Sequence, residues 1–123
     1  METPPLVSAE SSLWQLERRD RTLVLRYGGA HLTEAAVQRA IQQMETYGRA
    51  AGVVGATGPL PLELDLTGVT VLHGDGVRAL WERLPAVVEG LGCDVCLRVA
   101  NRAAAMALEI AHLDRYAAIV GHT

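Results

Sequence analysis

The sequence contains no lysine: all eleven of its basic residues are arginine, scattered along 123 residues. With fourteen acidic residues they leave a net charge of −3. No basic stripe or cluster forms, which argues against nucleic acid as the main partner. The arginine-only usage, together with abundant alanine, fits the codon bias of a GC-rich genome. Long apolar runs are also missing. None approaches the roughly 20 residues of a membrane-spanning helix, so no membrane insertion is expected. The opening METPPLVSAESS is short, polar and acidic. It lacks the basic n-region and long apolar h-region of a secretory leader, and the expected location is the cytoplasm. Cysteine is scarce: Cys93 and Cys96 make a single CxxC. A redox pair of this spacing needs its first cysteine at a helix N-terminus, whose dipole lowers the thiol pKa. Here the pair runs into a strand-like CLRV, where residues three apart face opposite sides. Zinc would want four ligands, and there is no second pair. Free structural thiols are expected, with no cofactor and no metal.

Half of the residues are hydrophobic and a fifth are charged, the balance of a folded globular chain. A chain of this length makes one domain and buries roughly two-thirds of its unfolded surface. Residues 1–12 read as a flexible tail, and 13–120 as a single domain.

Along that domain, 14–18 and 22–27 are two strand-like runs joined across Arg19-Asp20-Arg21, a hairpin spacing. A helix is predicted from Thr33 to about Tyr47. Thr33 caps it, Glu34 sits at the positive end of its dipole, and Leu32 and Val37 are placed as a hydrophobic staple. Val37, Ala40, Ile41 and Met44 form its apolar stripe. The glycine-rich 48–60 segment reads as a long, mobile loop. Residues 62–66 alternate as a strand, and 69–72 continue the apolar character. Val77, Leu80, Trp81, Leu84, Val88 and Leu91 then fall at helical spacing, with Pro85 placed to kink or divide the helix. Residues 94–99 alternate again, Asn101 caps a third helix to about His112, and 116–120 form a last strand. The order β-β-α-β-α-β-α-β predicts an α/β fold with parallel neighbours joined by right-handed crossovers. Arg26, Glu63, Asp65 and Arg98 all fall mid-strand, opposite the leucines and valines. A sheet covered on both faces would be apolar throughout, so the helices are expected mainly on one face, leaving the other at least partly wet.

The most unusual stretch is Val71-Leu72-His73-Gly74-Asp75-Gly76-Val77. Gly74 to Ala79 matches the G-x-G-x-x-A of dinucleotide-binding turns. Asp75 would, however, repel the pyrophosphate, no acid ends the following strand, and a sheet covered on one face is the wrong architecture. His73 and Asp75 suggest an acid–base pair, but no nucleophile lies in the turn. A metal site from His73, Asp75 and His31 would depend on the fold bringing His31 close. Structurally, Asp75 suits a helix N-cap, and glycine on both sides suits a tight turn.

LELDLTGVTVLHGDGVRALWERL resembles the central motif of STAS domains, the bacterial anti-sigma factor antagonists. That motif reads Asp-Leu-Ser/Thr-x-Val, an apolar pair, Asp-Ser-Ser-Gly and an apolar helix start. Asp65-Leu66-Thr67-Gly68-Val69 matches the first part, and His73-Gly74-Asp75-Gly76 occupies the place of Asp-Ser-Ser-Gly. NRAAAMALEIAHLDRYAAIV is similar to the family's third helix and last strand. The resemblance covers about residues 13–120. It implies a STAS-like mixed β-sheet with helices packed mainly on one face. It also implies a non-enzymatic, protein-binding regulator of transcription whose partner is an anti-sigma factor that is also a serine kinase. In the family that kinase phosphorylates the second serine of the turn. The phosphate adds about −1.5 to −2 charge at the contact and releases the partner. Here Asp75 stands at the phosphoserine position, a phosphomimetic that a serine kinase cannot modify; Gly74 replaces the preceding serine and His73 the acid. The implied partner-binding residues are His73, Gly74, Asp75, Gly76, Val77 and Arg78, with Trp81 beside them. Two other functions stay open: an accessory or sensor STAS subunit of a transporter or signalling complex, and a small α/β enzyme using His73 and Asp75.

Overall fold

The computed structural model describes residues 13–53 and 60–121. The expected tail (1–12) and positions 54–59 of the expected 48–60 loop lie outside them. The chain opens with the hairpin of β1 (Trp14–Arg19) and β2 (Thr22–Tyr27), in register from Trp14 opposite Tyr27 to Arg19 opposite Thr22. The tight connection puts Asp20 at φ 57, a left-handed conformation that aspartate tolerates better than most residues. There follow β3 (His31–Leu32), α1 (Glu34–Val53), β4 (Leu60–Leu66), β5 (Val71–Leu72) and α2 (Gly74–Pro85). A π-helical turn (Ala86–Gly90), β6 (Cys93–Val99), α3 (Arg102–Ile110), a 3-10 turn (Leu113–Arg115) and β7 (Ala117–Gly121) complete the order.

The main sheet is mixed, ordered β1-β2-β4-β6-β7. Only β1 and β2 pair antiparallel; every later neighbour is parallel. After the hairpin, each parallel strand is added on the same side of its predecessor. Right-handed crossovers that all step in one direction must carry their helices over the same face. The core shows this. Leu23, Leu25, Leu62, Leu64, Leu66, Val95, Leu97 and Val99 form one cluster with Val37, Ile41 and Met44 of α1, Leu80 and Leu84 of α2, and Leu108 of α3. Each fully buried aliphatic side chain contributes about 1.5–3 kcal/mol relative to exposure. At the β1 edge, the Trp14 Nε1 donates to the Ala36 carbonyl at 2.9 Å, and its ring packs against that of Tyr27, tilted by 38° with centroids 4.7 Å apart, fastening the start of α1 to the hairpin.

Among the described residues no helix covers the opposite face, and there the four charges lie as expected. They are not simply solvated. Gln15, Arg26, Asp65, Arg98 and Val120 form one cross-strand row; Glu17, Val24, Glu63, Cys96 and Ala118 form the next. Arg26 bridges Glu17 at 3.1 Å and Asp65 at 3.2 Å, and Arg98 pairs with Glu63 at 3.0 Å. Glu63 and Asp65 are buried while the arginines remain partly exposed.

Several boundaries differ from expectation. The first helix runs on through Gly48 to Val53 instead of ending near Tyr47. Glycine costs about 1 kcal/mol in a helix relative to alanine, but Gly48 lets α1 approach Leu91 closely, where a Cβ would lie 3.1 Å from its methyl carbon. Residues 69–72 do not prolong β4. After Leu66 the chain turns, and Val71-Leu72 pairs with His31-Leu32 as a separate parallel ribbon. Pro85 divides the second helix, ending α2 before the π-helical turn. Asn101 caps α3 as expected, accepting from the Ala104 N–H at 2.8 Å.

Candidate functional site

The β3–β5 ribbon sits at the carboxyl ends of β2 and β4, the end of a parallel sheet where loops gather and ligands bind. Its entry is built by Asp65-Leu66-Thr67. The Asp65 carboxylate accepts from the Thr67 N–H at 3.0 Å and its hydroxyl at 2.6 Å, which turns the chain out of β4. Thr70 and Val71 then donate to the Ala30 carbonyl, and the His73 N–H donates to the Leu32 carbonyl at 3.2 Å. These bonds fix the point from which α2 starts.

That point is His73, not Asp75. His73 is the N-cap, extended at φ −74, ψ 143, with its carbonyl accepting from the Val77 N–H. No side chain caps the helix. Because the ribbon holds His73, Gly74 is already helical and Asp75 falls within the first turn. Asp75 is exposed there and makes no hydrogen bond or ion pair with another described residue. Its charge still suits the positive end of the helix dipole, but the expected cap role is wrong.

The two glycines also differ from expectation. Neither takes a left-handed conformation, so tight turning does not require them. Gly74 is exposed, and a Cβ on it would meet nothing within 4 Å. Gly76 is buried: a Cβ would collide with the Leu32 carbonyl oxygen and lie 3.0 Å from its carbon and 3.2 Å from that of Thr33. Of the six implied contact residues, Gly76 therefore faces into the protein, where it lets α2 press on the backbone of β3.

The fold does bring His31 to the turn. Its Nδ1 lies 2.9 Å from the His73 Nε2, and the ring centroids are 5.1 Å apart. The Tyr27 hydroxyl donates to the His31 carbonyl at 2.8 Å, steadying the backbone beneath the pair. No third ligand joins them: among the described residues, no three metal-ligating side chains gather.

Along α2 an open apolar groove of about 400 Å³ is lined by Gly74, Val77, Arg78, Trp81, Ala111 and His112. Trp81 is 47% exposed, and Ile110, beside Ala111, is 75% exposed. Arg78 is tethered to Glu82 at 3.4 Å. Neither His73 nor Asp75 lines this groove, so it supplies no substrate pocket for an enzyme built on those two residues. Ile110, Ala111 and His112 were missing from the implied contact surface, and His31 entered the sequence reading only as a metal-ligand candidate. His31 and His73 share one legible trait: each lies between a strand of the main sheet and the helix that follows it. Nothing in the sequence marks Ala111 or His112. The cysteines show no site either: Cys93 is buried, Cys96 is partly buried, and both are free thiols. Burial raises the Cys93 thiol pKa, and burial together with Glu63 raises that of Cys96. No protein-family model matches the chain, and no curated protein matches it either.

Proposed function

We propose that the chain is a STAS-like, non-enzymatic binding module that docks an anti-sigma factor of the serine-kinase type. The docking surface is the exposed part of the 73–78 turn, His73, Gly74, Asp75, Val77 and Arg78, continued by the groove at Trp81. The observation that carries this reading is the half-exposed Trp81 beside the turn, above an apolar groove that the domain's own core does not fill. An exposed aromatic next to a concave apolar surface is the usual anchor of a protein interface. The mixed sheet with its helices on one face supports the resemblance, as does the Asp65–Thr67 turn. Asp75 supports it differently: an exposed carboxylate with no partner among the described residues offers a fixed negative charge at the contact.

The test is calorimetric titration with a cognate anti-sigma kinase, plus intact-mass measurement after incubation with ATP. Trp81→Ala is expected to weaken binding by tenfold or more while leaving the melting temperature nearly unchanged. Asp75→Ser is expected to strengthen kinase binding and to create a phosphate acceptor. A phosphate on the 73–76 turn of the unsubstituted protein, or unaltered binding by Trp81→Ala, would overturn the reading.

A further inference from the structure

We propose that protonation of the His31–His73 pair sets the charge of the docking turn and so regulates its partner; this rests on the docking reading above. The two ring nitrogens are at hydrogen-bond distance, and both rings reach solvent. One proton between them makes an N–H···N bond. A neutral imidazole offers one donor and one acceptor, whereas an imidazolium offers two donors. The bond therefore tolerates a first added proton but not a second, which would point two charged N–H groups at each other.

The consequence falls on Asp75, two residues beyond His73. With both rings neutral, the three side chains carry −1. The first proton brings them to zero and the second to +1, while the second also drives the rings apart. The change is comparable in size to that of a phosphate and opposite in sign. Asp75 is a fixed charge, and the pair makes the sum around it reversible. Histidine is the side chain whose charge changes between pH 5 and 8, and protonated histidine pairs are a known way of flipping an interface.

The neighbouring elements add few other charges. β5 (Val71–Leu72) and the 28–30 and 67–70 turns contribute none. On β2, the Tyr27 hydroxyl is engaged with the His31 carbonyl. In the first turn of α1, Glu34 accepts from Gln38. In α2, Arg78 is held by Glu82, leaving Asp75 as the nearest carboxylate in sequence. The backbone under the pair is secured independently, by the β3–β5 ribbon and the His73 N–H bond to Leu32. Opening the ring contact thus changes surface charge and side-chain position without unfolding the turn.

The experiment follows the full chain by NMR from pH 8.5 to 4.5, reading the histidine rings and the Gly74 and Gly76 amides. The ring signals of His31 and His73 are expected to respond together, because the two ring nitrogens share one hydrogen bond. In His31→Gln the His73 ring curve should change, and the Gly74 and Gly76 amides should lose the part of their response that follows His31. A His73 curve unchanged by His31→Gln overturns the proposal. A second arm measures kinase binding at pH 8 and pH 5.5. The unsubstituted chain is expected to change affinity at least threefold more than His31→Gln, which should still bind at pH 8. An equal pH response in the two proteins overturns the regulatory role. Absence of kinase binding at either pH overturns the docking reading, while the ring titration stands or falls separately.

Discussion

The two glycines flanking Asp75 should respond to the same substitution with opposite signs. Gly76→Ala places a methyl against the Leu32 carbonyl, a backbone atom anchored by the β3–β5 ribbon and by its bond from the His73 N–H. The clash cannot be relieved by a rotamer change; α2 or β3 must move. Overpacking of this kind costs about 1–3 kcal/mol, sometimes more. Alanine in a helix regains about 0.5–1 kcal/mol relative to glycine. The net expectation is a loss of about 1–2 kcal/mol, which at roughly 4 °C per kcal/mol for a domain of this size lowers the melting temperature by about 4–8 °C. Gly74→Ala meets nothing and keeps only the gain, so a rise of up to about 4 °C is expected. Thermal unfolding followed by circular dichroism, with urea titration as a check, separates the two. If Gly76→Ala melts within about 1 °C of the unsubstituted protein, or if both variants shift in the same direction, the close approach of α2 to β3 is not what Gly76 provides.

Asp65 should control part of the acid stability. Its burial alone would raise the carboxyl pKa, but the hydrogen bonds from Thr67 and Arg26 and the Arg26 charge outweigh this and hold it below the usual value. A carboxyl lowered on folding contributes stability that is fully present above the unfolded pKa of about 3.9 and is lost as pH falls through the lower folded value. Asp65→Asn should therefore cost about 1–2 kcal/mol at pH 7 and show a flatter decline below pH 4; identical acid unfolding of the two proteins would refute this. The cysteines should alkylate more slowly than a free thiol at pH 7.5, speeding up as pH rises, because burial and, at Cys96, Glu63 both disfavour the thiolate. Rapid labelling at pH 7, or a Cys93–Cys96 disulfide in the air-exposed protein, would contradict that account.

Much of the fold is legible because local periodicity and tertiary environment agree. Leu62, Leu64 and Leu66 alternate with Glu63 and Asp65, and the sheet buries one set in the core and pairs the other with arginines. The α1 boundary was not legible. Gly48 is a helix breaker by propensity and a packing residue by position, and only the contact with Leu91 shows which effect wins. The β3–β5 ribbon was hidden for a related reason. Two-residue strands carry no period, and their pairing joins segments forty residues apart.

The ribbon is also why the site was read only in part. Sequence spacing places Asp75 correctly at the head of a helix, but the exact start of that helix is set from outside it, by the Leu32 carbonyl holding His73. Starting the helix two residues earlier, at His73 instead of Asp75, moves Asp75 from cap to first turn, turns Gly76 inward and leaves His73 extended toward His31. The same long-range contact thus removes the structural duty assigned to Asp75 and creates the histidine pair beside it. Asp75 is left exposed, with no cap bond and no ion pair among the described residues, two positions beyond one of the two rings. Among the described residues no hydrogen bond or ion pair uses the Asp75 side chain, so its part in the fold is confined to its charge at the positive end of the helix dipole, and the rest of it faces outward.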